Sequence, residues 1–109
     1  MNQVFLTGKL IEEPELKLST DGQSYFLHNS IVVWRPSSDK KNAVDYIPFV
    51  AFGKTAEFIK RYVKKNSRIN ITGWLKMSKY KDKVGTERTG YEVVVDKVEF
   101  GIRGQTQET

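Results

Sequence analysis

Hydrophobic and polar residues alternate along most of this chain, as they do in strands that are buried on one face. In the first such segment Val4 and Leu6 point one way, while Phe5 and Thr7 point the other. The same period of two recurs four more times along the sequence. We therefore predict five strands, over residues 3–10, 24–34, 44–52, 68–80 and 91–100.

One segment, between the third and fourth predicted strands, has helical periodicity instead. Ala56, Ile59 and Val63 recur at the spacing of one helix face, which predicts a helix from Thr55 to about Lys65 with Thr55 as the N-cap. Five short alternating strands with a helix between strands 3 and 4 have the layout of an OB-fold, a five-stranded Greek-key barrel. The predicted fold class is therefore all-β with one helix, in an architecture whose outer face and loops bind nucleic acids or sugars.

Alternation also divides the aromatic residues between the two faces of each strand. One face of the fourth predicted strand is assigned to the core, and it carries Ile69, Ile71, Leu75 and Met77. The opposite face mixes rings with a lysine and carries Trp74, Lys76, Ser78 and Tyr80. The third predicted strand likewise turns Tyr46 and Phe52 away from Ile47 and Phe49.

Exposed rings interleaved with lysines favour a single-stranded nucleic acid as the partner. Bases lie flat on aromatic faces whatever their identity, and lysines between the rings neutralise phosphates and release counterions. Rings without cations would favour a protein interface, and cations without rings would suit the backbone of a duplex. A second interpretation remains open, in which a partner subunit covers Trp74 and Tyr80.

Composition and charge narrow the class of protein. The 109 residues are enough for one domain, and 39% of them are hydrophobic, which suffices for a compact core. The sequence has no apolar run long enough to predict a membrane span, and no signal sequence is visible. The absence of cysteine excludes disulfides and fits a reducing cytoplasm, so we expect a cytoplasmic protein. The net charge of +5 is concentrated in residues 60–90, which hold ten basic and two acidic residues.

The sequence offers no catalytic or metal-binding motif. The segment FGKT ends like a phosphate-binding P-loop, but Pro48 stands where that motif requires its first glycine. His28 is the only histidine, and with no cysteine beside it we expect a structural or interface role. No pair of carboxylates is placed as a general acid and base. We expect a non-enzymatic protein without a metal or cofactor.

Several segments resemble the family of bacterial-type single-stranded DNA-binding proteins. The matching segments are NQVFLTGKL, PELKLSTDG, DYIPFVAFGKTAEFIKRYVKKNSRINITGWL and YEVVVDKVEF. The resemblance spans about residues 1 to 100, and its most specific part runs from FGK through the helix to KKNS and TG. It implies a domain over residues 1–101, and the polar residues after it predict a flexible tail over residues 102–109.

The resemblance implies an OB-fold that binds single-stranded DNA without sequence preference, as a homotetramer, and that coats and protects it during replication, recombination or repair. Stacking aromatics carried over from the family fall on Trp34, Tyr46, Phe52 and Tyr80. Matching basic positions are Lys54, Lys76 and Lys79, with Arg35, Lys81, Lys83 and Arg88 in the loops. The implied location is the bacterial cytoplasm or nucleoid, or a host cytoplasm for a protein encoded by a phage or mobile element.

Three features depart from the family pattern. Trp74 stands where the family usually has a polar or basic residue, and we predict that it adds a stacking platform. Pro48 lies inside the third predicted strand, where it cannot donate a ladder hydrogen bond, so it predicts a sheet edge or a bulge. The chain ends in GQTQET without the acidic tip through which family members recruit partner enzymes, so recruitment by that route is not expected.

Two alternative functions share the predicted fold. One is a tail-less replication protein of the primosome type, which would be a dimer with a related surface. The other is an RNA-binding OB-fold protein of the cold-shock or translation-factor kind. Those proteins are generally shorter and lack the FGK-to-KKNS segment, and they would prefer RNA in a competition assay.

Overall fold

Strands and one helix account for most of the structure, a computed structural model that describes residues 1–36 and 43–100. In chain order the elements are β1 (Val4–Leu10), β2 (Lys17–Leu18), β3 (Tyr25–Trp34), β4 (Val44–Phe52), α1 (Gly53–Tyr62), β5 (Arg68–Lys81) and β6 (Glu87–Phe100). The predicted tail over residues 102–109 lies outside the described residues.

The strands close on themselves into a barrel, which confirms the predicted OB-fold. β1 pairs antiparallel with β5 along most of its length and with β3 at its end, where Lys9 faces Val32. β4 pairs antiparallel with β3 and, over Phe49 and Val50, in parallel with β6. The one addition to the five predicted strands is β2, two residues that pair with β3 across the turn at Gly22.

The inner face of the barrel and one side of α1 form a single apolar core. The sheet contributes Leu10, Leu27, Ile31, Phe49, Ala51, Ile69, Ile71, Val93 and Val95. The helix contributes Ala56 and Ile59, and Val63 joins them from the C-cap position that follows the helix. Burial of these side chains, at roughly 25 cal/mol per Å² of apolar surface, is the main stabilising term.

The predicted start and end of the helix were wrong. The helix begins at Gly53, immediately after β4, and ends at Tyr62. Phe52 occupies the N-cap position without a side-chain capping bond, while the Thr55 hydroxyl donates instead to the Asp96 carbonyl at 3.5 Å. β4 runs directly into α1 at Gly53, so the last residue of the strand, Phe52, takes the N-cap position predicted for Thr55.

The assignment of Leu75 and Met77 to the core was also wrong. These side chains are 44% and 50% exposed, because β5 and β6 extend beyond the barrel as a two-stranded hairpin. We call residues 74–92 the arm, and none of them is buried. The period of two identified which side chains share a face, but none of the residues that the structure describes forms a second layer against that face of the arm.

A β-bulge lies where the arm leaves the barrel. Thr72 pairs with Lys97 and Gly73 with Val95, so Asp96 is an extra residue on β6. Bulges bend the strand that carries them, which re-aims the hairpin beyond. The backbone also approaches closely here, because a Cβ on Gly73 would lie 2.0 Å from the Val94 carbonyl oxygen.

Pro48 lies at a local edge of the sheet, as predicted. It faces Ser30 of β3, but the pairing of β4 with β6 is confined to the next two residues, Phe49 and Val50. The missing N–H of the proline therefore costs no ladder bond on the β6 side.

Among residues 1–36 and 43–100, no helix has both the length and the apolar character that a membrane span requires.

Candidate nucleic-acid interface

Four of the predicted stacking residues point away from the core along β4 and the arm. Tyr46, Phe52, Trp74 and Tyr80 are all exposed, as the alternation predicted. We call the outward side of β3, β4 and the arm that carries them the aromatic face. Lys54 follows Phe52 at the start of α1, so a cation borders this face where β4 ends.

The centre of the aromatic face has an apolar floor. The strand registers place Trp74, Val94, Val50 and His28 side by side across β5, β6, β4 and β3. Val50 and Val94 are buried although they point outward, and Trp74 and His28 flank them. Trp74 keeps 39% of its surface exposed. The indole therefore lies next to the buried Val94 and keeps part of its surface accessible to a base.

Tyr80 lies farther out on the arm, against a position without a side chain. Gly90 is opposite Ser78 on the neighbouring strand, and a Cβ on Gly90 would lie 3.4 Å from a ring carbon of Tyr80. The tyrosine ring thus rests against the backbone of β6, with its other side exposed to solvent.

Asp82 organises the turn at the tip of the arm. Its carboxylate accepts hydrogen bonds from the N–H groups of Val84 and Thr86, and from Nε of Arg88 at 2.9 Å. The hydrogen bond from Arg88 is the largest cause of a pKa of Asp82 below its usual range. Lys81 and Lys83, on either side of Asp82, are exposed.

The predicted basic residues fall into two groups. Arg35 donates from Nε and Nη2 to Asp45, with the shortest contact at 2.9 Å, and this bond lowers the pKa of Asp45. Arg88 is paired with Asp82 in the same way. The remaining predicted cations are exposed and form no ion pair with any described residue; they are Lys54, Lys76, Lys79, Lys81 and Lys83.

Trp34 ends β3 and lies beside two cations from other strands. Its ring centroid is 5.5 Å from the guanidinium carbon of Arg68 and 5.8 Å from Nζ of Lys9. The ring is 41% exposed. Tyr46 is near, because it faces Val32, the residue two positions before Trp34 on the same side of β3.

The comparisons with known proteins identify the family. A model of the single-strand binding protein family matches residues 1–101. The chain belongs to this family. A single-stranded DNA-binding protein of Fusobacterium nucleatum is 48% identical over 105 residues, covering 93% of this chain and 67% of the relative. One from Clostridium tetani is 39% identical over 110 residues, covering all of this chain and 76% of the relative.

Two residues of the aromatic face in this single-strand binding family member escaped the sequence analysis. Phe26 faces Phe52 across the β3–β4 ladder, and its ring meets the edge of His28 at 5.5 Å between centroids. Nδ1 of His28 lies 3.6 Å from Oε2 of Glu92, which itself faces Lys76. Alternation within β3 already placed Phe26 and His28 opposite the buried Leu27. That signal could have added both residues to the predicted surface.

Proposed function

We propose that the protein binds single-stranded DNA without sequence preference, through base stacking on the aromatic face and phosphate contacts from the surrounding lysines. The observation that carries this proposal is the exposure of aromatic rings on one side of an OB barrel, with the exposed Lys76 among them. Lys79 and Lys81 lie on the other side of the arm, facing Thr89 and Glu87, where they can reach phosphates only around its edge. Membership of the single-strand binding family supports it, as do the relatives whose names describe single-stranded DNA binding.

Stacking and charge contribute to binding in the same way along the whole aromatic face. A base stacked on an exposed ring contributes roughly 1–3 kcal/mol, with little dependence on the base. We assign stacking to Trp34, Tyr46, Phe52, Trp74 and Tyr80. We assign phosphate contacts to Arg35, Lys54, Lys76, Lys79, Lys81, Lys83 and Arg88. The arm, exposed on both sides, can follow a flexible strand away from the barrel.

We further propose a non-catalytic role in coating and protecting single strands during replication, recombination or repair, in the bacterial cytoplasm or nucleoid. A homotetramer is proposed for the assembled protein. Phe5 supports self-association, because its ring is exposed on β1, outside the aromatic face, where a second subunit could cover it. Sedimentation velocity measures the assembly directly, and a monomer at every concentration would contradict this part of the proposal.

Tryptophan fluorescence tests the binding surface. The chain has two tryptophans, Trp34 and Trp74, and both are assigned to stacking. Titration with oligo-dT should quench their emission strongly, while a matched duplex should quench it weakly. The logarithm of affinity should fall with the logarithm of salt concentration, with a slope of about −0.7 for each phosphate neutralised.

Three results would contradict the proposal. Absence of quenching at low salt would mean that the bases do not approach either indole. Stronger binding to an RNA oligomer in direct competition would instead favour the RNA-binding alternative. Equal quenching by the duplex would show a surface that recognises the backbone and does not stack bases.

A further inference from the structure

Lys9 and Arg68 are two cations that face each other across neighbouring strands of the barrel. They are direct cross-strand partners in the β1–β5 ladder, and both lie near the ring of Trp34. Both are partly buried. Neither was among the basic residues predicted from the sequence to contact DNA.

The charges of Lys9 and Arg68 repel each other in the free protein. Like charges directly opposite each other on neighbouring strands destabilise a sheet. Within residues 1–36 and 43–100, no acidic side chain forms an ion pair with Lys9 or Arg68. The ring of Trp34 offers each cation a favourable contact, of about 0.5–1 kcal/mol at an exposed site, but it neutralises neither charge. Arrangements that work against stability, such as two facing like charges, are typical of functional sites.

The strand registers connect this pair to the aromatic face. Arg68 faces Lys9, Lys9 faces Val32, and Val32 faces Tyr46, so one row crosses β5, β1, β3 and β4. Trp34 lies beside that row. A strand with a base on Tyr46 or Trp34 would bring its phosphates to the two cations.

We propose that Lys9 and Arg68 bind backbone phosphate together, and that they extend the path of the single strand from Tyr46 past Trp34 onto the β1–β5 side of the barrel. This inference rests on the proposed function. A phosphate between the two cations supplies the negative charge that they lack in the free protein. The repulsion within the pair is thereby removed on binding, which favours the bound state.

The test compares two double variants of the full chain that remove the same two side-chain types. Lys9→Gln with Arg68→Gln removes the proposed phosphate pair. Lys60→Gln with Arg61→Gln removes one lysine and one arginine from α1. The affinity for fluorescein-labelled oligo-dT is measured by anisotropy over a range of salt concentrations, and thermal unfolding is measured without DNA.

Loss of two phosphate contacts should flatten the salt slope by about 1.4. If the two lines converge near about 1 M salt, affinity should fall about tenfold at about 0.2 M salt. The α1 variant should retain the wild-type slope. Without DNA, the Lys9 and Arg68 variant should melt close to the wild-type temperature, because loss of the repulsion offsets loss of the two contacts with the Trp34 ring.

Each other outcome is decisive. An unchanged salt slope, or equal flattening in both double variants, would refute the phosphate pair. A lowered melting temperature with an unchanged slope would show that the two cations serve only to pack Trp34. Lys9→Arg with Arg68→Lys keeps both charges and should keep the slope, so flattening there would also refute the inference. Failure of the wild-type protein to bind oligo-dT would instead refute the proposed function itself.

Discussion

Replacing Tyr80 by leucine separates base stacking from every other contribution of the arm. The tyrosine ring is 53% exposed and rests against the backbone at Gly90. Leucine retains an apolar contact with that backbone but offers no flat face for a base. The arm carries a matched control, since Tyr91 is 58% exposed and pairs with Met77 on the opposite side of the same hairpin.

The expected magnitudes differ sharply between the two variants. One lost stacking platform costs about 1–3 kcal/mol of binding free energy, which corresponds to about 5- to 140-fold in affinity. Tyr80→Leu should show this loss for single-stranded DNA, and Tyr91→Leu should stay within about twofold of wild type, because its ring faces away from the bases. Both residues are more than half exposed, so either change should alter the free energy of unfolding by only about 0.5 kcal/mol.

Anisotropy of labelled oligo-dT at fixed salt measures the affinities, and urea unfolding checks the stability of each variant. Sedimentation velocity confirms that both variants assemble as the wild type does, so that a change of assembly is not mistaken for lost stacking. Equal losses of affinity in the two variants would refute the assignment of the aromatic face. A loss confined to Tyr91→Leu would place the bases on the other side of the arm.

Two further predictions test the structure that holds this face. Gly73→Ala should cost about 3 kcal/mol in urea unfolding, because the obstacle is a backbone carbonyl that no rotamer change can move. The control is Gly22→Ala: nothing lies within 4 Å of a Cβ at Gly22, and alanine should cost only about 1–2 kcal/mol for its positive φ. Because the pKa of Asp82 is lowered on folding, its stabilisation of the arm tip is present above the unfolded pKa and is lost as the pH falls through the folded pKa. The NMR shifts of the turn amides should therefore titrate with a midpoint below pH 3.8. Arg88→Gln should raise that midpoint, because it removes the hydrogen bond that lowers the pKa of Asp82 most. A wild-type midpoint at or above pH 3.8 would contradict the assigned hydrogen bonds.

Alternation of hydrophobic and polar residues carries information about one strand at a time. A period of two depends only on neighbouring residues, so it placed Tyr46, Phe52 and Trp74 correctly on the outside of the sheet. It cannot report how far a strand extends beyond its neighbours in space. That is why Leu75 and Met77 were assigned to a core that ends before them.

Contacts between distant segments were beyond the same pattern. Alternation pointed Lys9 outward, but closure of the barrel brings it to Trp34, and β5 brings Arg68 to the same ring. The acidic partners of the two predicted arginines were hidden for a similar reason. Asp45 and Arg35 meet only because β3 and β4 pair in register, which brings these two residues side by side.

The ion pairs change how much each predicted cation contributes to the salt dependence of binding. An exposed pair such as Arg35–Asp45 is weak, so a phosphate can displace the carboxylate. The freed carboxylate then attracts a cation from solution, which offsets the counterion released from the DNA. Arg35 and Arg88 can therefore position the strand without steepening the salt slope. The salt slope is set by cations that form no ion pair with a carboxylate in the free protein. These are the exposed lysines of the predicted site and, on our inference, Lys9 and Arg68.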